Sequence, residues 1–225
     1  MSSDAPPEGS PHRLRRLPQR GSYDRQVIDA ILDEGLVCFV GIAPEGSPVV
    51  IPMAYARRGD ELILHGAPAS RLLRAGAAGT PMCVTVTLLD GLVLARSAFH
   101  HSLNYRSVVV FGTARELADP AEKAAALKAV VEHLLPGRSA AARPPNPKEL
   151  AATRVLVLAI EAASAKRRTG GPLDDREDDS WPCWAGEIPL ALTAQPPRPT
   201  TEGAPPGEPP APVRDYQPAR RLAGR

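Results

Sequence analysis

The sequence predicts a mainly β protein, an antiparallel barrel with helices at its edges. Short apolar strands follow one another through tight turns between residues 36 and 117, which favours an antiparallel meander. Strands and helices do not alternate, so a doubly wound parallel sheet is not expected. The chain has 225 residues and 26 prolines, but four prolines lie in residues 1–18 and nine in residues 195–225. A body of ordinary composition therefore lies between two proline-rich ends.

The first elements follow from apolar spacing and turn signals. A helix is predicted after Ser22, because apolar residues between Val27 and Leu32 recur on one helical face. Gly35 is expected to end this helix in the left-handed conformation. Strand-forming residues then occur in three runs separated by turns. These runs are Leu36–Ile42, Val49–Ala56 and Glu61–His65.

The second half of the predicted barrel contains a hairpin and one clearly marked helix. A short helix over Ser70–Ala78 precedes it. The Asp90–Gly91 pair predicts a hairpin turn between two strands. Asp119, with Pro120 and Glu122 behind it, predicts the start of a helix. The strands predicted in this half are Met82–Leu88, Leu92–Ser97, Ser107–Leu117 and Arg154–Ile160.

Composition excludes several classes of function. A net charge of +2 leaves no broad basic surface for nucleic acid. No run of 18 apolar residues is present, so no membrane span is predicted. Residues 1–20 are polar and do not resemble a signal peptide. The three cysteines fit neither a zinc site nor a disulfide framework, which favours the reducing cytoplasm.

A polar segment, Ser97–Ser107, contains two histidines, an asparagine, a tyrosine and an arginine. Such density between apolar strands indicates either a ligand site or an exposed loop at a hairpin end. His100 and His101 are adjacent and would point to opposite sides of a strand. Since no acidic residue is near them in the sequence, no metal site is predicted.

Two further groups of residues could bind phosphate. In His65–Arg71 a strand ends and a helix begins, and helix N-termini bind anions. Ser70 can also be an ordinary N-cap, and on the residues alone this is the stronger interpretation. Ser164–Arg168 is basic and precedes the acidic run Asp174–Asp179. Either the two segments neutralise each other in solvent, or the basic one supplies phosphate donors.

Several of these segments together resemble a known family. They include Tyr23–Arg25, Val50–Tyr55, Leu64–Gly66 and, most specifically, Thr85–Val108. The chain resembles the flavin-nucleotide-binding branch of the pyridoxamine 5′-phosphate oxidase-like family, which includes the nitroimidazole-resistance proteins. The resemblance covers residues 20–192, predicted as one domain. Residues 1–19 are predicted to be a disordered N-terminal segment and residues 193–225 a disordered proline-rich tail.

The resemblance implies an FMN-binding split barrel, a six-stranded antiparallel Greek-key barrel. It further implies a homodimer with FMN between the subunits. Catalysis is assigned to His65, with His100 and His101 as further candidates. The cofactor-binding residues that the resemblance implies are Ile51, Pro52, Met53, Tyr55, His65, Gly66, Ser70, Arg71, Arg106, Ser164 and Lys166. Arg106, Ser164 and Lys166 are further donors that act either within one chain or across the dimer.

The C-terminal end of the domain departs from the family pattern. True pyridoxamine phosphate oxidases end in a motif whose arginines bind the substrate phosphate, whereas this chain has Trp184–Leu190. True pyridoxamine phosphate oxidation is therefore not expected. The expected function is a flavin-dependent oxidoreductase acting on a small molecule, with nitroreductase-like or pyridoxamine-phosphate-oxidase-like chemistry. The alternative is a non-enzymatic module or redox sensor that binds flavin, deazaflavin or haem.

Overall fold

The computed structural model describes residues 5–200 and 207–218. Its strands are β1 (Gly21–Ser22), β2 (Val37–Ile42), β3 (Val49–Arg58), β4 (Glu61–Gly66), β5 (Pro81–Leu94), β6 (Ser102–Thr113), β7 (Arg115–Glu116), β8 (Arg154–Ala159), β9 (Ala162–Arg168) and β10 (Gly186–Pro189). Its α-helices are α1 (Arg25–Glu34), α2 (Arg71–Ala77), α3 (Pro120–Leu134), α4 (Arg138–Ala141), α5 (Pro147–Ala151) and α6 (Ala211–Arg214).

The strands form one antiparallel sheet in the order β1-β9-β6-β5-β2-β3-β4-β8-β7, with β10 added to β5. The six strands from β6 to β8 in this order curl into a barrel. Gly112 of β6 approaches β8 so closely that a Cβ there would meet Leu158 Cδ1 at 2.9 Å. The predicted six-stranded antiparallel barrel with peripheral helices is confirmed.

Two groups of buried side chains stabilise the barrel. The main core fills its interior, and the larger members include Leu32, Leu64 and Leu158. A second, smaller core lies on the outer side of β3, β4 and β8, under α3, and contains Ile63 and Val130. Alternation along β3, β4 and β8 sends neighbouring residues to opposite sides, so these three strands contribute to both cores. The outer side that α3 leaves uncovered carries the candidate site.

The structure differs from the sequence prediction at Asp90–Gly91, where no hairpin turn occurs. β5 continues through this pair, and the register with β6 shifts between Leu89 and Gly91, which is a β-bulge. Gly91 is buried against β10, and a Cβ there would meet the Ile188 carbonyl oxygen at 3.0 Å. Glycine is therefore needed for close approach of β10, and the chain turns later, around residues 95–101.

The predicted start of α3 agrees with the structure, whereas the conformation predicted for the end of α1 does not. Asp119 accepts a hydrogen bond from the Glu122 amide and caps α3, as predicted. Gly35 ends α1, but its φ of −65° is not left-handed. A Cβ on Gly35 would meet Val86 Cγ1 at 2.4 Å and the Tyr55 hydroxyl at 2.7 Å. Close packing, and not backbone conformation, explains this glycine.

Parts of both chain ends contact the domain, and the disorder predicted for the ends stays a prediction. The Leu14 amide donates to the Tyr23 hydroxyl at 2.8 Å, which ties part of the N-terminal segment to the domain. In the tail, α6 lies near the end of α3, where Pro212 is 3.8 Å from the position of a Cβ on Gly137. These parts of both ends contact the domain, while residues 1–4, 201–206 and 219–225 lie outside the described residues.

Within residues 5–200 and 207–218, no helix has the length and apolarity needed to cross a membrane.

Candidate functional site

An uncovered apolar surface lies on the outer side of β2 and β3. We call it the apolar strip, and it consists of Val37, Phe39, Val50, Pro52 and Ala54. Phe39 lies opposite Pro52 and Val37 opposite Ala54. Val37, Phe39 and Val50 are 47%, 45% and 64% exposed. Contiguous exposed apolar side chains of this kind mark a ligand or subunit contact.

His65 borders the apolar strip on β4. Extending the β3–β4 register, in which Tyr55 pairs with Leu64, by one residue places His65 opposite Ala54. Its Nδ1 atom is buried and has no hydrogen-bond partner among the described residues. Burial lowers the pKa of His65 below its ordinary value. The imidazole is therefore neutral near pH 7 and has an unsatisfied polar atom, an arrangement that usually indicates a ligand.

A strand ends and a helix begins within His65–Arg71, as the sequence predicts: β4 ends at Gly66 and α2 begins at Arg71. Gly66 lies close to α2, since a Cβ there would meet Leu73 Cδ1 at 3.0 Å. Ser70 Oγ accepts the Leu73 amide at 3.4 Å and caps the seven-residue helix α2. Arg71 is exposed and has no side-chain partner among the described residues. The N-cap interpretation of Ser70 is thus confirmed, and a phosphate role for Ser70 and Arg71 stays a prediction.

The four residues predicted on β3 divide between the two sides of the strand. Pro52 belongs to the apolar strip, and Ile51 is 37% exposed at the inner edge of the sheet. Met53 packs partly against the main core. Tyr55 is fully buried and donates its hydroxyl to the Leu32 carbonyl oxygen. Tyr55 is therefore a core residue, so its assignment to the cofactor site has no support from this geometry and stays a prediction.

The assignment of Arg106 to the cofactor also has no support from the single chain and stays a prediction. Its guanidinium binds the carboxylates of Asp90 and Glu34. Hydrogen bonds to Asp90, then those to Glu34, raise the pKa of Arg106 above its ordinary value. Two carboxylates neutralise this one cation, so Arg106 is not available to a phosphate in this chain.

Ser164 and Lys166 lie on β9, and the sheet order places four strands between β9 and β4. Ser164 is 4% exposed. Lys166 Nζ donates to the Arg16 carbonyl oxygen at 2.8 Å, so the N-terminal segment occupies it. The structure therefore does not bring this pair to His65 within one chain, and their role across a dimer stays a prediction.

His100 and His101 lie at the far end of the β5–β6 hairpin. From Thr87, level with the apolar strip, β5 runs seven residues further to Leu94, on the order of 20 Å. His101 Nδ1 contacts the Ser97 carbonyl oxygen at 3.0 Å. Neither histidine shares a site with His65 in one chain, so their assignment as alternative catalytic residues has no support from this geometry.

His100 has acidic neighbours that the sequence does not reveal. Its Nε2 lies 3.1 Å from Asp175 Oδ2. Ligand atoms of His100, Asp175 and Asp178 lie within 4.8 Å of one another. Folding brings the acidic run to the hairpin, because the Asp174 carboxylate accepts hydrogen bonds from the Arg96 and Ser97 amides. Acidic residues that are distant from His100 in the sequence are therefore close to it in the fold. The prediction that no metal binds here remains untested.

The two cysteines in the sheet are poor nucleophiles. Cys38 is fully buried, and desolvation raises its pKa to about 12. Burial also raises the pKa of Cys83 above its ordinary value. Since the thiolate is the reactive form, neither thiol is suited to covalent chemistry near pH 7.

Comparisons with known proteins agree with this architecture. A family model described as pyridoxamine 5′-phosphate oxidase matches residues 24–167. The solved structure of the flavocytochrome Anf3 from Azotobacter vinelandii is 39% identical with a TM-score of 0.87, and the match covers 95% of this chain and 99% of that chain. The FAD and haem binding protein from Mycobacterium smegmatis is 39% identical with a TM-score of 0.84, and the match covers 88% of this chain and 97% of that chain.

A more distant structure is a Bacteroides thetaiotaomicron protein described as a candidate for 5-nitroimidazole antibiotic resistance. It is 25% identical with a TM-score of 0.53, and the match covers 64% of this chain and 84% of that chain. Among the curated proteins, none matches the chain. The barrel that carries the apolar strip and His65 therefore resembles two solved structures, a flavocytochrome and an FAD and haem binding protein, over most of this chain.

Proposed function

The chain belongs to the pyridoxamine 5′-phosphate oxidase family, and from this premise we propose that it is a flavin-binding oxidoreductase acting on a small molecule. The flavin lies along the apolar strip with its edge at His65. The observation that carries the proposal is the buried, unpartnered Nδ1 of His65 at the border of this exposed apolar surface.

The residues present fit a flavin ring. An isoalloxazine ring is a flat, largely apolar surface with polar atoms along its edge. The apolar strip supplies apolar contact through Phe39 and Pro52, which lie opposite each other on adjacent strands. His65 supplies a hydrogen-bonding group for the ring edge, which satisfies the nitrogen that the protein alone leaves unpaired.

His65 is suited to hold or move a proton beside the cofactor. The bound flavin supplies the electron transfer, as cofactors do in such enzymes. The lowered pKa keeps the imidazole neutral near pH 7, so it can accept a proton or donate one from its N–H. The electron donor expected for this chemistry is a reduced nicotinamide, and the acceptor is a nitro compound or another small electrophile.

A second copy of the chain is proposed to cover the rest of the apolar strip. Val37 and Val50 remain too exposed for a stable free surface, and a symmetric dimer would bury the same strip on both partners. The flavin would then lie between the two subunits. This arrangement would also exclude water from the His65 imidazole and strengthen its hydrogen bond to the ring.

The nature of the flavin can be tested directly. The sequence resemblance favours FMN, whereas the Mycobacterium smegmatis relative, described as an FAD and haem binding protein, favours FAD. Mass spectrometry of the cofactor that co-purifies identifies it, and titration of the cofactor-free protein compares the two nucleotides. A yellow protein that a reduced nicotinamide bleaches supports the proposal. Replacement of His65 by Ala should reduce turnover, and His101→Ala should not.

Haem binding is a second candidate function, favoured by the descriptions of the two relatives that are 39% identical. Within the described residues, the buried ring nitrogens that have no partner belong to His12 and His65. A neutral imidazole is the form that ligates haem iron. Reconstitution with haemin should give an absorbance spectrum that changes in His65→Ala or in His12→Ala. An unchanged spectrum in both variants would exclude both histidines as ligands.

A further inference from the structure

A basic cavity lies at the end of β9, apart from the apolar strip. Its volume is about 440 Å³, and Arg20, Arg167 and Arg168 line it together with Thr169. None of its described lining residues is acidic. Three arginine residues therefore border one space, and the Glu187 carboxylate lies 3.8 Å from the Cβ position of its lining residue Gly171.

Arg168 forms a fixed, buried charge beside this cavity. It is 6% exposed, and it donates to the carbonyl oxygens of Gly170 and Gly171 at 2.7 and 2.8 Å. It also donates to Asn104 Oδ1, whose Nδ2 in turn donates to Glu187. No carboxylate pairs directly with Arg168 among the described residues, although a buried cation normally requires one. The negative charge of Glu187 reaches Arg168 only through Asn104, and it offsets one of the three positive charges at the cavity.

Arg20 and Arg167 lie side by side without partners. In the β1–β9 register Gly21 pairs with Lys166, so Arg20, the last residue of the 3-10 turn before β1, lies near Arg167. Neither side chain has a hydrogen bond or an ion pair among the described residues. Two unpaired like charges that are close together repel each other.

Four acidic residues in this part of the fold are engaged with other partners. Asp174 binds Arg96, and Asp175 contacts His100. Across β6, Arg106 is already neutralised by Glu34 and Asp90, so their carboxylates are also occupied. No ion pair joins Arg167 or Arg168 to the acidic run among the described residues, so the phosphate-donor alternative stays open for these two residues.

We propose that this cavity binds a phosphate-type oxyanion carrying at least two negative charges. Arg20 and Arg167 donate to its oxygens, and Arg168 supplies the fixed charge behind them. Guanidinium groups bind phosphate through paired N–H donors, and an anion here relieves the repulsion between the two arginines. The phosphate can belong to a free pyrophosphate compound or to the pyrophosphate of a dinucleotide, and the test separates these two sources.

The test measures binding of inorganic pyrophosphate to the full chain by calorimetry at low ionic strength. The native protein should bind it saturably, and added salt should weaken binding. The double variant Arg20→Gln with Arg167→Gln should lose at least about tenfold in affinity, because two charged donors to the anion are removed. The control is Arg138→Gln, an exposed arginine on α4 outside the cavity, which should bind like the native protein.

Two further measurements make the result decisive. In anion-free buffer the double variant should unfold at a higher temperature than the native protein, because a repulsion is removed. If FAD affinity also falls while FMN affinity does not, the site serves a dinucleotide; if both flavin affinities are kept, it serves a separate anion. Absence of saturable pyrophosphate binding, or equal loss in Arg138→Gln, would overturn the proposal. Neither result bears on flavin binding at His65, which the flavin titration tests separately.

Discussion

Arg106 of β6 holds Asp90 of the neighbouring strand through two hydrogen bonds, from Nε to Oδ2 at 2.9 Å and from Nη2 to Oδ1 at 2.7 Å. This pair sits at the bulge where β5 changes register. The same guanidinium binds Glu34 at the end of α1. Arg106 therefore joins the first helix to the hairpin, and its charge stabilises a corner of the barrel.

Replacement of Arg106 by Ala should lower the free energy of unfolding by about 1–3 kcal/mol, the cost of leaving polar partners unsatisfied. Glu34 and Asp90 would then repel each other without the shared cation. Urea unfolding measures the loss, and flavin affinity should stay near the native value. Arg74→Ala, an exposed arginine on α2, is the control and should leave stability unchanged. Lost flavin affinity with native stability would return Arg106 to the cofactor site.

Replacement of Tyr55 by Phe should cost about 1 kcal/mol of stability, because the hydrogen bond to the Leu32 carbonyl oxygen is lost. The ring remains, so the main core stays filled. The flavin should still bind, since the side chain lies inside the barrel. Thermal unfolding and a flavin titration of the same preparation separate the two effects. Unchanged stability with weaker flavin binding would contradict the position of Tyr55 in the core.

The sequence predicts the local elements well and the partners of polar groups poorly. Apolar spacing and the caps at Ser70 and Asp119 depend on neighbouring residues, and they are found as predicted. β9 contains no β-branched or aromatic residues, so its sequence does not predict a strand. It forms a strand in the structure because it pairs with β6.

The candidate site is predictable in part, for a similar reason. The family resemblance indicates His65 and Pro52, which the structure places near each other on the outer side of the barrel. Resemblance does not reveal that Arg106 is neutralised by Glu34, 72 positions away in sequence. The Asn104–Arg168 contact also joins residues 64 positions apart. Such contacts depend on the strand order, which no local pattern encodes.

Replacement of Phe39 by Lys should convert the proposed dimer to a monomer. Phe39 lies in the centre of the apolar strip and is 45% exposed in the single chain. A charge there would have to be buried against the second copy, which is unfavourable without a partner. Light scattering during gel filtration measures the mass of each species. Flavin occupancy should fall together with dimerisation.

The control for this prediction is Phe99→Lys, because Phe99 is 88% exposed on the turn that follows β5 and lies outside the apolar strip. Its mass should match that of the native protein. If the Phe99 variant dissociates while the Phe39 variant stays dimeric, the subunits meet at the hairpin end. A native protein that is monomeric with flavin bound would contradict the subunit arrangement itself.

Burial of His65 should make the cofactor-free protein less stable at mildly acid pH. The folded-state pKa of His65 lies below the value of ~6.5 expected in the unfolded chain. As pH falls below ~6.5 the unfolded chain therefore binds a proton that the folded chain resists, and the stability contributed by neutral His65 declines until its folded pKa is passed. Above ~6.5 both states are neutral at this residue, so pH has no effect through it.

The variant His65→Gln tests this linkage, because glutamine keeps a polar side chain and does not titrate. Urea unfolding of both proteins from neutral to mildly acid pH should show a steeper loss of stability in the native protein. His101→Gln is the control, since that ring is exposed and should leave the slope of the native protein unchanged. Equal slopes for the native protein and His65→Gln would show that the imidazole protonates freely in the folded state, and its proposed role as a neutral group beside the flavin would then fail.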